Sequence, residues 1–179
     1  YQALGGRDNL ERALELYRKC LELREALARE LSTAESRQDL AVTYDNVGLV
    51  YQALGGQDNL EQSLALYQKG LELRETLAWE LGTAESRQYL TISYNNVGRV
   101  YRILGDRANL ERALILYQKG LELSEALARE LGTAQSRRDL TISYDNVGRV
   151  YQALGGRENL ERALALYQKC LELAEALAR

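Results

Sequence analysis

The chain has 179 residues, 46% of them hydrophobic and 27% charged, with a formal net charge of −3 and a pI near 5.3. That length supports a domain with a buried core, and the slight acidity excludes the basic field that sequence-independent nucleic-acid binding requires. No stretch approaches the ~20 apolar residues of a membrane span and no signal-peptide pattern is read, so the expected setting is cytoplasmic.

Proline, phenylalanine, methionine and histidine are absent, which leaves glycine as the residue that interrupts helices. The chain opens on Tyr1 without a methionine, as expected of an excised or designed segment. Residues 1–31 read as the end of one helix, type A, followed by a second, type B. Residues 32–81 hold a full A/B pair. Leu60, Leu64, Tyr67 and Leu71 form the B stripe, continued by Leu77 and Leu81. Asp58 or Asn59 is the expected cap, and Asp8 to Glu11 and Asp58 to Glu61 have the spacing of a capping box.

Residues 82–131 hold the next pair, with helix A predicted over about Ala84 to Leu104. Leu90, Tyr94, Val97, Tyr101 and Leu104 step by four, three, four and three, one face of a helix. Thr83 is the expected N-cap, because its hydroxyl can accept from an unpaired amide of the first turn. Residues 132–179 hold the last pair. Gly55, Gly105 and Gly155 follow the A helices and Gly82 and Gly132 the B helices, where a left-handed residue ends a helix; Ser32 takes that place in the first unit.

In rows of fifty the sequence aligns with itself without a gap, and most positions agree between the first two rows. Such self-similarity is the signature of a repeat architecture. One hairpin cannot bury its stripe alone, so stacking is required. The expected fold is all-α: a single array over 1–179, a right-handed α-solenoid of stacked antiparallel helix pairs. A long coiled coil is excluded by glycine stops every ~25 residues.

Tyr44-x-x-Val47-Gly48-x-x-Tyr51 on helix A resembles the tetratricopeptide repeat. So does the small-aromatic-small series of helix B: Ala13, Tyr17, Cys20; Ser63, Tyr67, Gly70; Ala113, Tyr117, Gly120; Ala163, Tyr167, Cys170. The unit of 50 residues departs from the family's common 34. The turn gains Gly56-Gln57-Asp58, and Glu25 and Glu75 stand where the motif usually ends on proline. Cys20 and Cys170 alternate with Gly70 and Gly120, so they read as packing residues that a stacked array holds too far apart for a disulfide.

No catalytic or metal-binding constellation is legible: there is no His, no CxxC and no phosphate loop, and Glu11, Glu61, Glu111 and Glu161 recur as structural residues do. Neither an enzymatic activity nor a cofactor is expected. The resemblance implies a protein-binding scaffold whose A helices face a groove. Asn46, Asn96 and Asn146, with neighbours Asp45, Asn95 and Asp145, then hold a ligand's backbone, since a carboxamide both donates and accepts; the alternative is that these Asn residues only bond neighbouring helices. Leu49, Arg99 and Arg149, then Gln52, Arg102 and Gln152, follow on the same face. The arginines favour an acidic peptide, unless Asp145 and Arg149 pair with each other across their four-residue spacing. Trp79 and Tyr89 flank the turn at Gly82 and read either as an aromatic binding patch or as surface substitutions. The alternatives to a peptide scaffold are self-association through uncapped ends and a designed array without a natural ligand.

Overall fold

The computed structural model describes residues 6–177. Among the described residues it has seven α-helices and no strand: α1 (Arg7–Leu31), α2 (Ala34–Leu54), α3 (Gln57–Leu81), α4 (Ala84–Leu104), α5 (Arg107–Leu131), α6 (Ala134–Leu154) and α7 (Arg157–Leu177). Backbone packing divides the chain into two compact units, Tyr1–Gly82 and Thr83–Arg179. In each, successive helices joined by two-residue turns pack against one another, the α-solenoid arrangement that the repeat implies. Among the described residues no helix is long and apolar enough to cross a membrane.

The A helices start where Thr33, Thr83 and Thr133 place them. Each threonine hydroxyl accepts from the backbone amide of Ser36, Ser86 or Ser136 at 3.1 Å, and each serine hydroxyl donates back to the threonine carbonyl. The B helices start otherwise than their apolar stripes suggest. Asp58 and Asp8 do not cap them: the helices begin at Gln57 and Arg7, and the N-caps are Gly56 and Gly6, without a side-chain bond. The cause is the turn. Gly55 and Gly56 both adopt positive φ (68° and 82°) and reverse the chain in two residues, so Gln57 and Asp58 already lie in the helix. The Asn59 side chain closes that turn by donating to the Gly55 carbonyl at 2.7 Å. In the third unit Asp106 replaces the second glycine and caps α5, accepting from the Asn109 amide at 2.8 Å.

In the first unit, Ala13 and Leu14 of α1 pack on Val47, Val50 and Tyr51 of α2, while Ala28 meets Leu40 and Tyr44. In the second, Leu110, Ala113 and Tyr117 of α5 meet Val147, Val150 and Tyr151 of α6 and Ala163 of α7. The motif glycines explain the closeness of each A/B hairpin. A Cβ on Gly48, Gly98 or Gly148 would lie 2.9, 3.0 or 2.7 Å from the ring of Tyr67, Tyr117 or Tyr167. The small position of helix B is less tight: at Gly120 the nearest atom would be 3.6 Å away, and Cys170 fits there with its thiol 3.4 Å from the Thr141 carbonyl oxygen. Burial pushes that thiol's pKa up, so Cys170 is a packing residue held in its protonated form.

Glu25 and Glu125 continue their helices past the length of a 34-residue unit and take on a structural partner. The Tyr44 and Tyr144 hydroxyls, on the following A helices, donate to them at 2.7 and 2.8 Å. Farther along, the prolonged hairpins are tied by Arg37 to Glu80 in the first unit and Arg87 to Glu130 in the second.

Candidate functional site

The polar row predicted on the A helices divides between the two units. In the first, Asn46 is half-buried and Leu49 exposed on α2, and Gln52 accepts from the Tyr67 hydroxyl at 3.4 Å. Asp45 turns inward: Arg74 of α3, 2% exposed, donates to it at 2.6 Å. That pairing commits Oδ2 of Asp45 to the hairpin, through a partner that the helix spacing alone does not reveal.

In the second unit, α4 and α6 bring their rows side by side. Asn146 Nδ2 donates to Asn95 Oδ1 at 3.3 Å, a bond between the two A helices. Arg99 donates to Asn96 Oδ1 at 3.3 Å along α4. Asp145 and Arg149 do pair, at 2.6 Å, on a half-exposed stretch of α6 where such a pair contributes less than about 1 kcal/mol. Gln152 accepts from the Tyr167 hydroxyl at 3.1 Å.

Tyr117 of α5 lies behind this surface, and reasoning from helix faces did not single it out as part of the site. Its hydroxyl is pushed above the ordinary tyrosine range by burial, an effect opposed by the guanidinium groups of Arg102, Arg99 and Arg149. Three cations from two helices therefore bear on one buried hydroxyl. The recurrence of Tyr67, Tyr117 and Tyr167 opposite residues 52, 102 and 152 was the available signal, visible once the hairpin pairs these columns.

Trp79 is 86% exposed near the end of α3. Tyr89, on α4, donates to Glu85 at 3.3 Å. Glu11, Glu61, Glu111 and Glu161 accept from Arg7, Gln57, Arg107 and Arg157 one turn earlier, so these repeated carboxylates are surface helix partners.

The sequence model of the tetratricopeptide repeat family matches residues 2–28, the first copy of a unit that recurs every fifty residues. No curated protein matches the chain. Among solved structures, the de novo designed helical repeat protein DHR64 is similar, with a TM-score of 0.56 and 19% identity over 99% of this chain and 88% of that one. The DHF58 filament has a TM-score of 0.59 and 21% identity over 98% and 87%, and the DHF119 filament 0.53 and 20% over 99% and 88%. At these identities the likeness is one of fold. With its motif glycines against the Tyr rings and its paired A and B helices, the chain is a helical-repeat protein on a fifty-residue unit, similar over residues 2–28 to the tetratricopeptide repeat.

Proposed function

We propose that this protein is an interaction scaffold that holds an extended, acidic peptide segment along the A-helix rows, with α4 and α6 as its principal surface. The observation that supports this most is the Asn146 to Asn95 bond, which sets two carboxamide-bearing rows next to each other. Each amide engaged there keeps further hydrogen-bonding capacity for a peptide backbone. Arg99 and Arg102 supply charge for a carboxylate, which arginine can hold through two parallel bonds, whereas Arg149 is already paired with Asp145. In this reading Asn46, Leu49 and Gln52 are the corresponding positions of the first unit, exposed Trp79 is an accessory aromatic contact of that unit and Tyr89 one of the second.

The test is binding of Glu-containing peptides to the parent chain and to an Arg99→Gln, Arg102→Gln variant. Affinity falling at least tenfold in the variant, and falling with added salt in the parent, is the expected result. Equal, salt-independent binding by both would remove the acidic-peptide reading.

Self-association is the second reading, favoured by the outer face of α7. Leu160 and Leu171 are 49% and 59% exposed, whereas Leu110 and Leu71, at the same places in earlier units, are 7% and 9% exposed. Such a face suits another repeat of the same kind. Under this reading light scattering finds a mass that grows with concentration; a constant monomer mass would oppose stacking in solution.

A further inference from the structure

A cavity of about 300 Å³ opens between α4 and α6, with the C-terminal half of α5 closing it from behind. Ile92, Ile142 and Leu131, all lining it, are 43%, 55% and 44% exposed. Exposed apolar side chains scattered singly need no explanation, but these gather on one concavity. The charged group in its wall, Asp139, already accepts from Gln88 at 3.3 Å and Gln135 at 2.8 Å. Ile92, Leu127, Leu131 and Ile142 thus supply the apolar part of a wall that also carries hydroxyls, carboxamides and the Asp139 carboxylate.

The cavity has an identifiable origin in the repeat. The column that holds Arg24 and Arg74 holds Ser124 in the third fifty-residue repeat, and the column of Asp45 holds Asn95. In the first unit the Arg74 side chain is buried to 3% exposure against Asp45. In the second, Ser124 instead shares a hydrogen bond of 2.7 Å with Ser143, and both Ser124 and Asn95 line the open space. An ion pair that fills one hairpin has been exchanged for two short neutral side chains in another.

We propose that this cavity anchors one bulky apolar side chain of the bound peptide, whose acidic residue lies three positions away against Arg99 and Arg102. The proposal rests on the reading of the α4–α6 rows as a peptide surface and adds a sequence requirement to it. The volume is at the small end of ligand sites, suited to a single aromatic or branched side chain. Ile92 and Asn95 precede Arg99 and Arg102 by seven residues on one face of α4. Seven residues of helix rise about 10 Å, which three residues of extended chain span at about 3.3 Å each.

The chain contains four isoleucines, of which Ile92 and Ile142 line the cavity while Ile103 and Ile115 do not. The experiment uses the full chain carrying 13C-labelled isoleucine methyl groups. The probes are two ten-residue Gly/Ser peptides with one Trp and one Glu three positions apart, in either order. Twins replace Trp by Ser or Glu by Gln. The proposal expects one order to shift the Ile92 and Ile142 signals and leave Ile103 and Ile115 in place, with each twin binding at least fivefold more weakly. Ser124→Arg, which restores the residue of the first two units, should weaken the Trp peptide at least tenfold with helicity unchanged by circular dichroism. Asn95→Asp, which leaves the cavity open, separates loss of space from added charge and should weaken it less. If Ser124→Arg and the Ser twin bind as the parent and Trp peptide do, the anchor is wrong while the peptide surface stands. If no peptide binds but N-acetyltryptophanamide moves the two cavity methyls, the peptide reading fails and the cavity is a small-molecule site. No shift from any probe overturns both.

Discussion

At the residue scale, glycine has two roles in this repeat that the same substitution should separate. Gly98 faces the Tyr117 ring so closely that an added methyl group must displace a buried side chain. Gly98→Ala is therefore expected to destabilise by about 1–3 kcal/mol, the usual cost of overpacking. Gly120 lies inside α5 with ordinary space around a new Cβ. There Gly120→Ala should stabilise by about 0.5–1 kcal/mol, because alanine loses less backbone entropy in a helix. Urea denaturation of the two variants checks both; the same sign for both would show that the hairpin spacing is set by something other than the tyrosine contacts. Tyrosine titration offers a second check at this scale. Burial and the bond to Glu125 push Tyr144 up to about 12, and Tyr44 is raised in the same way by burial and Glu25. A group whose folded pKa is raised contributes stability that is complete below its unfolded value, about 10 for tyrosine, and lost as pH rises through the folded one. The chain should therefore weaken between about pH 10 and 12, and Tyr144→Phe should flatten that limb of a stability–pH curve.

At the scale of elements, the caps and the clamps define each hairpin. Thr83→Ala leaves the first turn of α4 without its acceptor and should cost about 1 kcal/mol by denaturation. The Arg37 bond holds the Glu80 carboxyl below its ordinary value at the far end of the α2/α3 hairpin. A depressed carboxylate contributes stability present above its unfolded pKa, about 4.3, and lost as pH falls through the folded one. Glu80→Gln should thus lower stability near neutrality slightly and remove part of the acid dependence, so that its curve and the parent's converge below about pH 4. The A helices were legible in the sequence because Thr83 and Gly105 mark both ends with residues whose chemistry is specific. The B helix starts were not, because the stripe begins at Leu60 whereas Gly55 and Gly56 turn the chain earlier, and a bare backbone cap leaves no side-chain sign. Of the candidate site, the Asn and Arg rows could be placed on a helix face by spacing alone. The Asp45 to Arg74 pair and the cavity beside Ser124 depend on which helix lies opposite, although the change from Arg24 and Arg74 to Ser124 was present in the aligned columns.

At the scale of the molecule, the protein is a repeat in which most columns maintain the hairpin and a few vary. The maintained columns are glycine against tyrosine, threonine caps and the surface Arg–Glu pairs. Variable columns occur on both helix types; on the A-helix rows and in the small space behind them Leu49 becomes Arg99 and Arg149 and an ion pair becomes Ser124 with Asn95. The most direct test is a peptide-library selection run on the parent and on an Asn46→Ala, Asn96→Ala, Asn146→Ala variant of equal helicity. The account predicts acidic peptides with a bulky apolar residue enriched by the parent and lost with the variant. Enrichment of the same peptides by both proteins, or of none by either, would contradict it.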